Sequence, residues 1–188
     1  MIARLDPSST VLAVVDVQEK LAAAMPAEGM DRLVQNTLIL LEAARVLGVR
    51  VIASEQYPKG LGPTVPRLAE KLGAMDVAPI AKMDFDALAE PAFSRALTAN
   101  GARPSAVVLV GMETHICVYQ TARELVRRGF ATHVVGDAVL SRRADNREIG
   151  LGLCARTGAI VTATETVAFD WLGRAGTDAF RAVSKLVR

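Results

Sequence analysis

Cysteine, aromatic residues and excess charge are all scarce in this sequence, and each shortage removes a class of answer. Two cysteines among 188 residues, without disulfide-framework spacing, exclude a stapled secreted scaffold and point to a reducing, cytoplasmic setting. Basic and acidic residues number 22 and 20 and are dispersed, so neither nucleic acid nor an anionic membrane is expected as partner, and a small-molecule substrate is favoured. No apolar run is long enough to cross a bilayer. The opening "MIARLDPSSTVLAVVD" meets charged residues too early for a signal peptide. Repeats, low-complexity tracts and linker-like shifts in composition are also missing. One domain over residues 1–188 is therefore the simplest organisation, and with 51% hydrophobic residues it can bury a substantial core unaided by disulfides or metal.

Present instead is a regular alternation of short apolar runs and amphipathic stretches. "TVLAVVD", "GVRVIAS", "DVAPIA", "SAVVLVG", "ATHVVGD" and "GAIVTA" are rich in β-branched residues and read as strands. Between them "MDRLVQNTLILLEAARVLG", "EPAFSRALTANG" and "CVYQTARELVRRG" carry helical periodicity and stop at glycine. The segment "SEQYPKGLGPTVPRLAEKLG" starts as loop, since Pro58, Gly60, Gly62, Pro63 and Pro66 prevent a continuous helix there. This βαβ rhythm predicts an α/β fold, a parallel sheet covered by helices on both faces.

In such a sheet ligands bind beyond the carboxyl ends of the strands. Three polar residues fall at such places: Asp16 closes "VLAVVD", Lys82 follows "APIA", and Cys117 follows the run that ends at Gly111. A cysteine delivered to the first turn of a helix meets unpaired N–H groups and a dipole that favour thiolate, its nucleophilic form. With Lys82 to stabilise that thiolate and Asp16 to carry its proton, the three have the parts of an activated nucleophile. On this reading Cys117 alkylates faster than Cys154, which lies on an apolar helical stretch and reads as core. Each residue also has a plain structural role: Cys117 as a small hydrophobe, Asp16 as a cap, Lys82 as a solvated strand-end charge. Gln18 faces the same end as Asp16 and is placed to orient the carboxylate. Gln56, Tyr57, Phe85 and Tyr119 are candidate substrate-binding residues, Asp137 and Ser141 candidate caps, and His115 a packing or substrate contact.

The stretches "AVVDVQEKL", "IAKMDFDAL", "LVGMETHICVYQTARELVRRGF" and "HVVGDAVLSR", taken in this order, resemble the isochorismatase-like cysteine hydrolases, the group that includes nicotinamidases and N-carbamoylsarcosine amidases. The resemblance covers nearly the whole chain. It implies a three-layer, Rossmann-like fold on a six-stranded parallel sheet and an Asp16–Lys82–Cys117 triad. It also implies a cis peptide between Met112 and Glu113, and an oxyanion hole made by the backbone N–H groups of Glu113 and Cys117. The implied reaction is hydrolysis of a carboxamide or related C–N bond through a thioester, and homo-oligomers are common in similar proteins. Nicotinamidases hold a metal with an Asp and His cluster. Here Gln56 stands where the first aspartate is expected, with Glu55 beside it and only His115 and His133 elsewhere, so no metal and no other cofactor is expected. Isochorismate-cleaving members generally lack the cysteine, so Cys117 argues against vinyl-ether cleavage. Two other readings stay open: a redox-active thiol, and a catalytically idle binding protein on the same fold.

Overall fold

The computed structural model describes residues 3–101 and 103–187. Six strands, β1 (Thr10–Val15), β2 (Arg50–Gln56), β3 (Ile80–Lys82), β4 (Ala106–Met112), β5 (Ala131–Leu140) and β6 (Ile160–Thr162), form one parallel sheet in the order β3-β2-β1-β4-β5-β6. The helices of the described residues are α1 (Glu19–Ala22), α2 (Ala27–Leu47), α3 (Pro58–Leu61), α4 (Pro66–Gly73), α5 (Pro91–Leu97), α6 (Tyr119–Arg127), α7 (Ala144–Arg156), α8 (Thr164–Leu172) and α9 (Asp178–Val183). None is long and apolar enough to cross a membrane.

The layers follow from the two-residue period of the strands. Leu12 and Val14 of β1, with Val108, Val110 and Met112 of β4, pack on Leu40 of α2, Leu72 of α4 and Trp171 of α8. Their neighbours Val11, Ala13, Val15, Val107 and Leu109 pack on the other side against Phe93 of α5, Leu125 of α6 and Cys154 of α7. Both central strands are therefore buried along their whole length, the mark of a sheet sandwiched between helical layers.

Three elements depart from the sequence reading. β3 is only three residues long and pairs with Ser54–Gln56 alone, because Pro79 lacks the N–H that an earlier rung needs. β5 runs past Asp137 to Leu140, across an irregularity in its pairing with β4 between Leu109 and Gly111. The helix expected to begin at Cys117 begins instead at Tyr119, behind a π-helical turn over Thr114–Val118.

The order in which strands are added reverses between β1 and β4, all strands remaining parallel: β2 and β3 extend to one side, β5 and β6 to the other. Such a switch point opens a crevice at the carboxyl ends of the two central strands. Gly111 makes the closest backbone approach there. Its φ is +127°, and a Cβ at this position would lie 2.0 Å from the Val15 carbonyl oxygen. Replacement Gly111→Ala should lower stability by more than about 3 kcal/mol, a strained backbone compounded by a backbone clash. Urea denaturation showing a loss under about 1 kcal/mol would contradict this tight β1–β4 junction.

Candidate active site

β2 lies between β1 and β3, and it holds together the charged groups that those strands deliver. Asp16 leaves β1 with a left-handed φ of 54°, which turns its side chain away from the strand path. Its Oδ1 accepts a hydrogen bond from Ser54 Oγ at 2.7 Å. Its Oδ2 lies 2.7 Å from Lys82 Nζ, with both side chains 0% exposed. The lysine donates to Gln56 Oε1 at 2.7 Å and to the carbonyls of Asp84 and Phe85 at 3.1 and 3.4 Å. The contact to Asp16 is a fully buried ion pair. Ser54 and Gln56, two residues apart on β2, thus support the acid and the base from one face.

Cys117 reaches this pair on the π-helical turn that follows β4. The Met112–Glu113 peptide bond is cis. The Glu113 carbonyl accepts from the N–H groups of Ile116 at 3.0 Å and Val118 at 3.2 Å. Burial pushes the Cys117 thiol up from its ordinary value of 9.0 to about 12, helped by the charge of Asp16 and a hydrogen bond to it. Lys82 and the Glu113 backbone N–H oppose the shift without overcoming it. Lys82 is paired with Asp16 and no regular helix starts at the cysteine, so neither offsets the effect of burial on the thiol. Cys154, also buried, is likewise raised by burial, to about 11.

α7 presses on the turn from behind. A Cβ at Gly150 would lie 2.7 Å from His115 N and 2.8 Å from both His115 Cα and Thr114 C. His115 Nδ1 meets the buried Ser141 Oγ at 3.0 Å, so its ring is engaged with the end of β5. Ser141 is therefore a partner of His115 rather than a helix cap. Asp137 caps, but at the more distant α8, where its Oδ1 accepts from Thr164 N and Oγ1.

The crevice encloses a cavity of about 260 Å³ lined by Asp16, Gln56, Glu113, Cys117 and Arg142 on its polar side and by Leu21, Leu61, Phe85 and Ile116 on its apolar side. This lies just below the ~300–1,000 Å³ common for ligand pockets, so it suits a small molecule. A larger open hollow beside Leu38, Lys71 and Lys185, about 480 Å³, holds no comparable constellation.

Of the expected substrate contacts, Gln56 and Phe85 line the cavity. Three others do not. Gln18 is a scaffold staple, donating from Nε2 to the carbonyls of Gln56 and Gly62 and accepting the Gln56 N–H at Oε1, which leaves its amide none to orient Asp16. Tyr57 is exposed and lays its ring over Gly60. Tyr119 packs into the core behind the site, under the guanidinium of Arg123.

Missed in the sequence were Ser54, Leu21, Leu61, Ile116 and Arg142. The alternation that placed Gln56 also puts Ser54 on the same face. Arg142 follows the true end of β5, which was read as ending three residues early. Leu21 and Leu61 sit on four-residue helices too short to show a period.

The residues at the place of a nicotinamidase metal do not fit one. Glu55 Oε1 is taken by Thr64 N at 2.6 Å and Thr64 Oγ1 at 2.7 Å, and the Gln56 amide is taken by Lys82 and Met83. Among the described residues no group of three or more His, Cys, Asp or Glu side chains is arranged to hold a metal ion.

A six-stranded parallel sheet between two helical layers, with a crevice at its switch point, defines a class, the open three-layer α/β proteins. Comparison makes it specific. Residues 10–166 match the isochorismatase domain, and the chain belongs to the isochorismatase-like hydrolase family. It is 37% identical over 98% of its length to the secreted isochorismatase effector Isc1 of Phytophthora sojae, covering 87% of that protein. The structure of the MAR1 ribonuclease from Caenorhabditis elegans superposes with a TM-score of 0.90 at 36% identity, covering 98% of this chain and 92% of that one. The nicotinamidase of Staphylococcus aureus shares the fold alone, with a TM-score of 0.69 at 18% identity over 82% of this chain and 98% of its own.

Two measurements check this geometry. In α7, Gly152→Ala meets nothing within 4 Å and should stabilise by up to about 1 kcal/mol. Gly150→Ala should destabilise despite the same gain in propensity, and thermal melts of equal sign would contradict the close seating of α7. Alkylation of Cys117 by a small non-amide reagent, followed by peptide mass spectrometry, should quicken about tenfold per pH unit from 7 to 10. A plateau near neutrality would show a resting thiolate. The linkage has a matching sign: a thiol raised from 9.0 to about 12 stabilises the fold fully below pH 9, and that stability is lost as pH rises towards 12.

Proposed function

We propose that this protein hydrolyses a small carboxamide, or a related C–N bond, through a thioester on Cys117. The observation that carries this reading is the buried Cys117 sharing one cavity with Asp16, whose carboxylate is ion-paired to Lys82 at 2.7 Å. Transfer of the thiol proton to Asp16 turns a carboxylate and a thiol into a carboxylic acid and a thiolate. The net charge of the buried cluster is unchanged, and Lys82 remains beside it to balance the negative charge wherever it sits.

The sulfur then attacks the amide carbon, and the oxygen that gains charge is met by the backbone N–H groups of Glu113 and Cys117. Donors of this kind lower the barrier by roughly 3 kcal/mol each. As the C–N bond breaks, Asp16 returns its proton to the leaving nitrogen. A water gives a proton to Asp16 and its oxygen to the acyl carbon. The C–S bond breaks, the acid leaves, and the thiol is restored.

A redox role is disfavoured by the same features. Oxidation follows exposed thiolate, whereas Cys117 is buried and its thiol is held at about 12. Hydrolysis of RNA, suggested by the name of the nematode relative, needs cations free to hold phosphates. Beside this cavity Lys82 is buried and paired with Asp16, which leaves the half-exposed Arg142, shared with Glu113, as a single contact for a phosphate.

The test is a panel of amides, ureas, imides and an oligoribonucleotide, with Cys117→Ala and Asp16→Asn alongside the unaltered protein. Turnover should be confined to C–N substrates. Cys117→Ala should abolish it together with the acyl adduct seen by mass spectrometry, and Asp16→Asn should lower kcat by about 10²–10⁴. Activity of Cys117→Ala within tenfold of the unaltered protein, or RNA cleavage without amide cleavage, would overturn the reading.

A further inference from the structure

Lys82 is wrapped by its own chain. Its ammonium donates to the carbonyls of Asp84 and Phe85, two and three residues ahead, which face it only while the segment after β3 curls back over the lysine. One end of that curl is held from the end of β2, where Tyr57 N–H donates to the Lys82 carbonyl at 2.8 Å and Gln56 Nε2 to that of Met83 at 2.7 Å. The other end is held by Asp86 Oδ1, which accepts from Leu88 N at 2.9 Å, and by Ser94 Oγ of α5, which donates to the Leu88 carbonyl at 2.8 Å. Between these anchors Met83 and Phe85 are exposed, so burial of their side chains does little to fix the carbonyls that the lysine uses.

α6 supplies the tie between them. The Ala87 N–H donates to Thr121 Oγ1 at 3.0 Å, and both residues are 0% exposed. A threonine inside a helix ordinarily turns its hydroxyl to its own helix or to solvent; this one takes a backbone donor from a segment 34 residues away. Thr121 lies four residues beyond Cys117, in the helix that continues from the π-helical turn. One hydrogen bond therefore joins the element that carries the thiol to the loop that wraps the ammonium. Arg128, past the end of α6, reaches only the Leu88 carbonyl, at 3.4 Å. Because water does not reach Ala87, the loop cannot leave Thr121 without stranding a buried donor.

Resting on the amide-hydrolase reading above, we propose that Thr121 is a positioning residue: by holding Ala87 it keeps the Asp84 and Phe85 carbonyls on Lys82, and so keeps the ammonium on Asp16 and water away from the cluster. Thr121 is not among the residues that line the cavity, and it acts on proton transfer between Cys117 and Asp16 only through the lysine. The charged and titratable groups about the sulfur are Asp16 and Lys82, with Glu113 and Arg142 across the cavity and His115 on the same turn, tied to Ser141. Removing the threonine hydroxyl changes none of these charges. It frees the loop, and the two consequences have opposite signs. Water reaches a thiol on which desolvation is the largest influence, so the sulfur becomes more reactive towards a small reagent, while amide cleavage slows because Lys82 is no longer held in place.

The test compares Thr121→Val, which keeps the shape and removes the acceptor, with Thr121→Ser, which keeps the acceptor. Both cysteines are labelled with methyl methanethiosulfonate at pH 8 and followed by peptide mass spectrometry, and kcat and KM are measured on an amide that the unaltered protein turns over. In Thr121→Val, Cys117 should react about tenfold faster or more, while Cys154, buried in the same core, keeps its rate within about threefold. The same variant should lose at least about tenfold in kcat, and Thr121→Ser should return both quantities to within about threefold of the unaltered protein. A thermal melt accompanies each variant. If Thr121→Val does not fold, Thr121→Ala replaces it, since the smaller side chain leaves room for a water on the Ala87 N–H but no tie to α6. Unchanged labelling of Cys117, equal quickening of both cysteines, a rise in KM with kcat intact, or a serine variant no better than valine would overturn the assignment. The two readings fail separately, because labelling needs no substrate. Faster labelling of Cys117 alone, with no amide turned over by the unaltered protein, would sink the hydrolase reading only, and amide turnover with unchanged labelling would sink only the role of Thr121.

Discussion

A carboxylate and an ammonium group 2.7 Å apart and closed to water are the constraint around which this site is organised. Withdrawing each ion from water costs several kcal/mol, and their attraction offsets that only when neighbouring polar groups complete both shells. Ser54, Gln56 and the carbonyls of Asp84 and Phe85 supply those shells. They are in reach only if β1, β2 and β3 keep register, with Val15 opposite Ser54 and Gln56 opposite Lys82. A slip of one residue would turn Ser54 and Gln56 to the wrong face. The left-handed turn at Asp16 belongs to the same requirement, since an extended residue there would continue the strand rather than close on the lysine.

The thiol inherits its character from this pair. Burial and the charge of Asp16 push the Cys117 thiol up, and Lys82, already paired with that carboxylate, opposes the shift only in part. Its reactivity is thus conditional on a proton acceptor rather than stored as a standing negative charge. The same neighbours fix its position: α7 abuts the turn through Gly150, and His115 is tied to Ser141.

Most of the fold was legible because it depends on patterns that a sequence displays. Strands buried on both faces leave unbroken β-branched runs, and the positions just beyond them nominated Asp16, Lys82 and Cys117. Illegible features depended on contacts between distant segments. That Lys82 would pair with Asp16 across β2 is set by strand order, which no local pattern encodes. Gln18 had the right end of the sheet but a saturated amide. Arg142 was hidden by an irregularity that lets β5 continue through Gly136 and Asp137, residues that usually mark a strand's end.

The cavity divides its labour between two kinds of backbone. Asp16, Lys82 and Cys117 sit at the ends of strands or directly behind one, in the stiffest part of the molecule, whereas Leu21, Leu61 and Phe85 come from two short helices and a loop. Mutation can therefore reshape what the cavity admits without moving the atoms that would react. Substitutions in the connecting segments can thus alter what the cavity admits while the paired strand ends keep their register.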